Sequence, residues 1–293
     1  MGFKDILVAL DTAPAARGRI ELAAALAERF GAHLIGLHTT VAAHAPRERG
    51  YFDYFDQSLL DPLYRDFEEK MEADAELARS LFEEIAGRHG VSAEWRAASG
   101  YPSEMTAMHG SYVDLIVLGQ LDPDDTLAPL FRPLPEEVAL AVGRPILVIP
   151  YAGSWTQIGR RVLVGWDASR EATRAINDAM PLLAGAETVT ILAVDPPQGL
   201  GDHGPAGYPG GHGETPGADI ALHLARHGVK ATTEATVSAG IGAGNALLSR
   251  ASDLEADLLV MGGYGHSRVR ELLLGGVTRT ILESMTLPVL MAH

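Results

Sequence analysis

The chain contains no cysteine in its 293 residues. That absence removes disulfides, thiolate metal centres and cysteine nucleophiles together, and leaves the redox compartment undecided. Basic residues are scarce: 23 Lys and Arg stand against 38 Asp and Glu, a formal net charge of -15. Most of such a surface repels a nucleic-acid backbone, which argues against general nucleic-acid binding; a bound phosphate must be held by local geometry. Long hydrophobic runs are missing too. No apolar stretch approaches the ~18 residues of a membrane span, and the opening MGFKDILVALD lacks the charged, apolar and small-residue order of a secretory signal. A soluble, cytoplasmic protein without membrane association is expected. With 47% hydrophobic residues, the length suits two domains of ordinary size, each with its own core.

An internal repeat organises what is present. ILVALD, Ile6 to Asp11, returns as VLVGWD, Val162 to Asp167; DLIVLG, Asp114 to Gly119, returns as DLLVMG, Asp257 to Gly262; RPILVIP, from Arg144, returns as LPVLMAH, from Leu287. Within each copy short apolar runs alternate with helix-spaced patterns. The first copy reads ILVAL, a helix stopping at Gly31, HLIGLHT, an acidic helix around Phe67 to Arg88, SAEWRAAS, a helix near Ser103 to Gly110, DLIVLG and RPILVIP. The second reads RVLVGW, a helix over 169–183, TVTILAV, a helix over 218–227, ATTEATVS, a helix over 244–252, DLLVMG, a helix over 277–285 and PVLMAH. Continuous apolar strands alternating with helices predict an α/β chain with two tandem, open, five-stranded parallel sheets, each with helices on both faces. The polar join YAGSWTQIG, 151–159, separates domains at 1–150 and 160–293. Two excursions interrupt the pattern, at 42–66 and at 195–217. The second is a Gly- and Pro-rich loop whose His203 and His212 lack partners at metal-ligand spacing, so no metal site is assigned.

The glycines of MGGYGHSRVRELLLGGVTRT, 261–280, follow directly on an apolar strand. In an open parallel sheet ligands sit beyond the carboxyl ends of the strands. Gly262, Gly265, Gly275 and Gly276 would let backbone N–H groups face a phosphate, with Thr278 adding a hydroxyl near a helix start. The same glycines could equally shape turns and cap a helix, and spacing alone does not separate the readings. The repeat acts as a control. Residues 119–150 align with 262–293 without a gap, and there Gly265 is matched by Asp122, Gly275 by Arg132, Gly276 by Pro133 and Thr278 by Pro135. The first copy builds the same strands without the glycines, which favours a binding role for them in the second.

The spacing Gly262-x2-Gly265-x9-Gly275, after ADLLVMG and before PVLM, resembles the ATP-binding signature of the universal stress protein family, and the likeness extends over both copies. The resemblance implies a tandem chain of adenine-nucleotide alpha-hydrolase-like domains with a degenerate first domain. It implies adenine and ribose near Gly165, Trp166, Asp167 and Val194, and phosphates near Met261, Gly262, Gly265, Gly275, Gly276, Val277 and Thr278. The implied ligand is ATP, with or without Mg, or AMP or ADP in its place. Where the family carries Ser or Thr after the third glycine, this chain has Gly276, so a side-chain phosphate contact is lost. Asp167 also has a local role open to it, capping the following helix, which Ser169 could serve as well; Asp11 holds the matching place in the first copy. Family members pair through their last strands, which implies an intramolecular pseudo-dimer through 145–149 and 288–292 and leaves a further homodimer open.

Other motifs point elsewhere and fail. Gly240, Gly242 and Gly244 resemble a dinucleotide fingerprint, but Asn245 stands at its third small position and no acidic residue ends the next strand. GHSRV, from Gly265, lacks the closing glycine of a nucleophile elbow, and no P-loop is present. His266, Arg268 and Arg270 receive no catalytic role. With no general base beside the glycines, the chain is expected to act by binding, with at most slow ATP hydrolysis. The alternative is an interaction or scaffold protein, or a carrier of a nonpolar ligand, with a vestigial nucleotide site.

Overall fold

A computed structural model describes residues 2–41, 57–196, 216–264 and 276–293. Gly265, Gly275, His203, His212, His266, Arg268 and Arg270 lie outside the described residues, as does most of the 195–217 excursion. The first copy contains β1 (Asp5–Leu10), α1 (Ala16–Phe30), β2 (His33–Thr40), α2 (Gln57–His89), β3 (Ala93–Ser99), α3 (Pro102–Gly110), β4 (Leu115–Gly119), α4 (Ala128–Phe131), α5 (Pro135–Val142) and β5 (Ile146–Ile149). The second contains β6 (Arg161–Gly165), α6 (Arg170–Leu183), β7 (Thr188–Val194), α7 (Ala218–Arg226), β8 (Ala231–Thr236), α8 (Ala243–Asp253), β9 (Leu258–Gly262), α9 (Gly276–Ser284) and β10 (Val289–Ala292). Helix α1 stops where expected, because Gly31 takes up a left-handed conformation at φ 58°. Helix α2 begins ten residues before the acidic pattern does, at Gln57 rather than Phe67, and takes in part of the first excursion.

Both five-stranded parallel sets are present, and they are joined edge to edge into one sheet. Its order is β3-β2-β1-β4-β5-β10-β9-β6-β7-β8. Every pairing is parallel except the central one, where Val289 lies opposite Val148, Leu290 opposite Leu147 and Met291 opposite Ile146 in antiparallel register. All six of these side chains are buried. A parallel sheet otherwise ends in an edge of unpaired N–H and C=O groups, and here each copy covers the other's edge.

The continuous apolar strands have their physical reason in two cores, one on each face. Ile6, Val8 and Leu10 of β1 point to one side, where they pack with Ile20 of α1, Phe82 of α2, Ile176 of α6 and Leu224 of α7. Leu7 and Ala9 point to the other, with Ala107 of α3, Val138 of α5, Leu247 of α8 and Ile281 of α9. Each core runs through strands of both copies. The outer strands β3 and β8 are half exposed, which matches their polar sequences AEWRAAS and ATTEAT.

The aspartate that opens DLIVLG and DLLVMG ties the first strand of its copy to the fourth. The Asp114 carboxylate accepts N–H bonds from Lys4 at 2.6 Å and Asp5 at 3.2 Å. Asp257 accepts from Gly159 at 2.9 Å, from Arg160 at 3.0 Å and from Arg161 at 3.2 Å. A carboxylate is suited to this because it accepts several bonds at once from amides that have no strand partner. Asp257→Ala should therefore lower the free energy of unfolding by about 2 kcal/mol, the usual scale for hydrogen bonds to a charged group, as measured by urea denaturation.

Candidate functional site

In each copy the sheet reverses its direction of growth at the first and fourth strands, and the crevice beyond their carboxyl ends is where an open α/β sheet receives ligands. In the second copy those strands are β6 and β9, which pair through Val162, Leu163 and Val164. Gly165 ends β6 and is followed by Trp166, whose N–H donates to Leu192 O at 2.9 Å. Asp167 comes next, and Ala168 turns the chain with a left-handed φ of 57°. Val194 ends β7. Met261 and Gly262 end β9, and Gly276, Val277 and Thr278 form the first turn of α9. This turn is drawn to the end of β9 by a bond from Tyr264 N–H to Thr278 Oγ1 at 3.3 Å. The fold thus gathers at one end of the sheet every sequence-predicted position within the described residues.

These positions differ in what holds them. A Cβ on Gly262 would stand 2.5 Å from Ala172 N and 2.7 Å from Glu171 C, both backbone atoms, so β9 passes under the first turn of α6 too closely for any side chain. Met261 is packed in the core, and Thr278 is 3% exposed with its hydroxyl taken by Tyr264 N–H. A Cβ on Gly165 would touch the Leu247 side chain at 3.3 Å. Gly276 is the opposite case: it is exposed, and a Cβ there would meet nothing within 4 Å. The hydroxyl usual after the third glycine is therefore absent without steric cause. Trp166 is half-buried, and Val277 and Asp167 are exposed. The helix-capping role weighed for Asp167 belongs to Ser169, whose Oγ accepts Ala172 N–H at 3.0 Å; among the described residues the Asp167 carboxylate accepts only the Ser169 N–H, also at 3.0 Å.

Tyr264 is a residue that sequence reasoning missed. It holds a left-handed φ of 61° at the exit of β9, and its hydroxyl is buried without a hydrogen-bond partner among the described residues. Burial, with a smaller contribution from the Glu136 carboxyl of the first copy, pushes the phenol well above its ordinary value. A phenol held toward its neutral form is poorly suited to act as a general base.

Residues 159–293 match the model of the universal stress protein family. This part of the chain is a universal stress protein domain. The whole chain is similar in fold to a universal stress protein from Archaeoglobus fulgidus DSM 4304, with TM-score 0.70 and 16% identity over 98% of this chain and 95% of the other. It is also similar to a functionally unknown protein from Pseudomonas aeruginosa PAO1, with TM-score 0.57 and 13% identity over 99% and 92%. No curated protein matches at the level of sequence.

The first copy shares the strand order of the universal stress protein domain, but its crevice is filled from within. Arg19, 3% exposed, donates from Nε to Ala9 O at 3.0 Å and from Nη2 to Asp11 at 2.7 Å. Its guanidinium also lies against Gly119, where a Cβ would be 2.3 Å from Nη1. It therefore spans the ends of β1 and β4. Arg132, at the place of Gly275, stands 3.8 Å from Asp11 and donates to Asp125 at 2.9 Å. The residue matching Arg19 in the second copy is Ala175, a core residue 1% exposed. Asp167 consequently has no arginine partner among the described residues, while its counterpart Asp11 has two within 4 Å. Comparing α1 with α6 by the repeat would have revealed Arg19, a guanidinium at an inward helical position.

His38 occupies the place of Val194. It is 7% exposed, stacks on Trp95 with ring centroids 5.7 Å apart, and has Nδ1 3.3 Å from Leu10 O. Burial lowers its pKa, while Leu10 O, Asp11 and Asp74 act in the opposite direction and offset only part of the shift.

Two predictions arise from this site. Gly262→Ala should destabilise by about 1 to 3 kcal/mol, as overpacking does, while Gly276→Ser should stay within about 0.5 kcal/mol of the parent; guanidinium denaturation compares them. For His38 the unfolded chain binds the proton more readily than the folded one. Its contribution is thus complete above the ordinary histidine value of about 6.5 and is lost as pH falls from there through the folded value. His89 works in the opposite sense, because Glu28 and Glu21 raise its pKa. His38→Val should leave stability less sensitive to acid than in the parent as pH falls below about 6.5, measured as midpoint against pH.

Proposed function

We propose that this chain binds one adenine nucleotide, at the β6–β9 crevice. In this reading residues 1–150 are a degenerate universal stress protein domain, 151–159 a linker and 160–293 the binding domain, and the protein acts in the cytoplasm as a stress-response protein. The observation that carries it is the contrast between two equivalent carboxylates. Asp11 is neutralised by Arg19 and Arg132, whereas Asp167, half a molecule away in an otherwise matching place, accepts one turn amide and faces solvent. An open carboxylate beside a half-buried indole suits the hydroxyls and ring of a nucleoside. The first turn of the nine-residue helix α9 turns unpaired N–H groups and the positive end of its dipole toward the same edge, as phosphates require.

Asp167 would accept from ribose, Trp166 and Val194 would flank the base, and the amides around Gly262, Gly265, Gly275 and Gly276 would take the phosphates of ATP, ADP or AMP. Gly276 leaves the phosphate to backbone donors alone. Among the described residues no side chain at this edge is suited to activate water, and the reading is of a binding protein with at most slow hydrolysis. Calorimetric titration with ATP should give one equivalent per chain. A Gly265→Asp, Gly275→Arg double variant, which copies the first half, should bind at least tenfold more weakly. Equal affinity in both proteins rejects the glycine cradle, and a tightly held lipid mass in the native mass spectrum of freshly purified protein would favour a nonpolar-ligand carrier instead.

A further inference from the structure

Helix α7 covers the outer strands of the second copy and is held by little. Of its nine residues only Leu224 is fully buried, with Ile220 and Ala221 packed partly against the core. On the same helix His223 is half-buried and His227, at the C-cap, is exposed. Their ring centroids are 4.7 Å apart and the ring planes meet at 54°. Residues four apart share one helix face. Two imidazoles so placed make a bidentate frame for a borderline cation, the arrangement by which helical His pairs hold zinc. A metal to nitrogen bond of about 2 Å spans half such a gap, so side-chain torsions suffice to bring one nitrogen of each ring onto a shared ion.

Two further features favour a cation there. The C-terminal turn of a helix is the negative end of its dipole, and its last carbonyls lack intrahelical donors. The chain carries a formal charge of -15, which concentrates cations at its surface. Asp219 lies one turn before His223 on the same stripe of the helix. Among the described residues no three His, Asp or Glu side chains converge on one point, so an ion held here would keep water in its shell and exchange readily.

We propose that His223 and His227 form a bidentate site for a borderline divalent transition ion of the Zn2+, Ni2+ or Cu2+ class. Hard cations such as Mg2+ and Ca2+ prefer oxygen and are excluded by the ligand type. The bound ion staples the last turn of α7, linking His223 to the C-cap His227. Because it binds the folded helix, it stabilises the second copy in proportion to its occupancy. The site is independent of nucleotide binding.

The test is calorimetric titration of the untagged full chain with ZnCl2 in a non-coordinating buffer, for the parent and for His223→Ala, His227→Ala and the double variant. One equivalent should weaken at least tenfold in each single variant and vanish in the double. Cu2+ added at one equivalent should give a two-nitrogen electron paramagnetic resonance signature that the double variant loses. The other nine histidines serve as the internal control, since binding to them is unchanged by these substitutions. Zn2+ affinity and the Cu2+ signature unaltered in both single variants would overturn the site, as would loss of an Mg2+ equivalent in the same variants.

Discussion

The antiparallel contact of Ile146, Leu147 and Val148 with Val289, Leu290 and Met291 is the interaction on which the rest of the molecule depends. Without it each copy would leave the edge of its fifth strand open, and the cores on both faces would end in solvent. With it ten strands share one sheet, and the side chains of each face form a single packed layer from β1 to β10. Because the central pair is antiparallel, the strands of the two copies run in opposite directions. Their crevices therefore open at opposite ends of the sheet, and each is free to take on its own chemistry without disturbing the other.

That freedom is visible in the two aspartates. Both follow the first strand of their copy, and both accept an amide two residues on, so the local turn asks the same of each. What separates them is a guanidinium from the helix that follows. In the first copy Arg19 spans the ends of β1 and β4, and Arg132 stands 3.8 Å from the Asp11 carboxylate. In the second, Ala175 lies in the core and no described arginine reaches Asp167. A buried guanidinium is costly unless its donors are paired, and here Ala9 O and Asp11 pair them, so the filled crevice is self-consistent. The first copy thus holds a buried ion pair where the second has Ala175.

The glycines divide along a similar line. Gly262 is required by packing, since the strand passes against the backbone of α6. At its match in the first copy, Gly119, a Cβ would instead displace the Arg19 guanidinium. Conservation of glycine at this place across the repeat therefore reflects close approach in both copies, for two different reasons. Gly276 has open space around it and carries no steric demand.

Much of the fold was legible in the sequence because the physics that sets it is local or periodic. Alternating apolar strands and helices, the repeat and the stop at Gly31 all depend on neighbours a few residues away, and they yield the parallel order of each copy. The grouping of Gly165, Trp166, Asp167 and Val194 with the glycine strand was legible too, because the ends of parallel strands must lie together. Three things were decided only in the tertiary structure. The early start of α2, at Gln57, lies ahead of the acidic pattern that marks the helix in sequence. The aspartates of DLIVLG and DLLVMG read as strand ends in sequence, yet they bind amides more than ninety residues away. The closing of one crevice by Arg19 and the burial of Tyr264 and Thr278 at the threshold of the other depend on which side chain reaches which space. Periodicity determines the direction of a side chain; only the assembled sheet determines what that side chain meets.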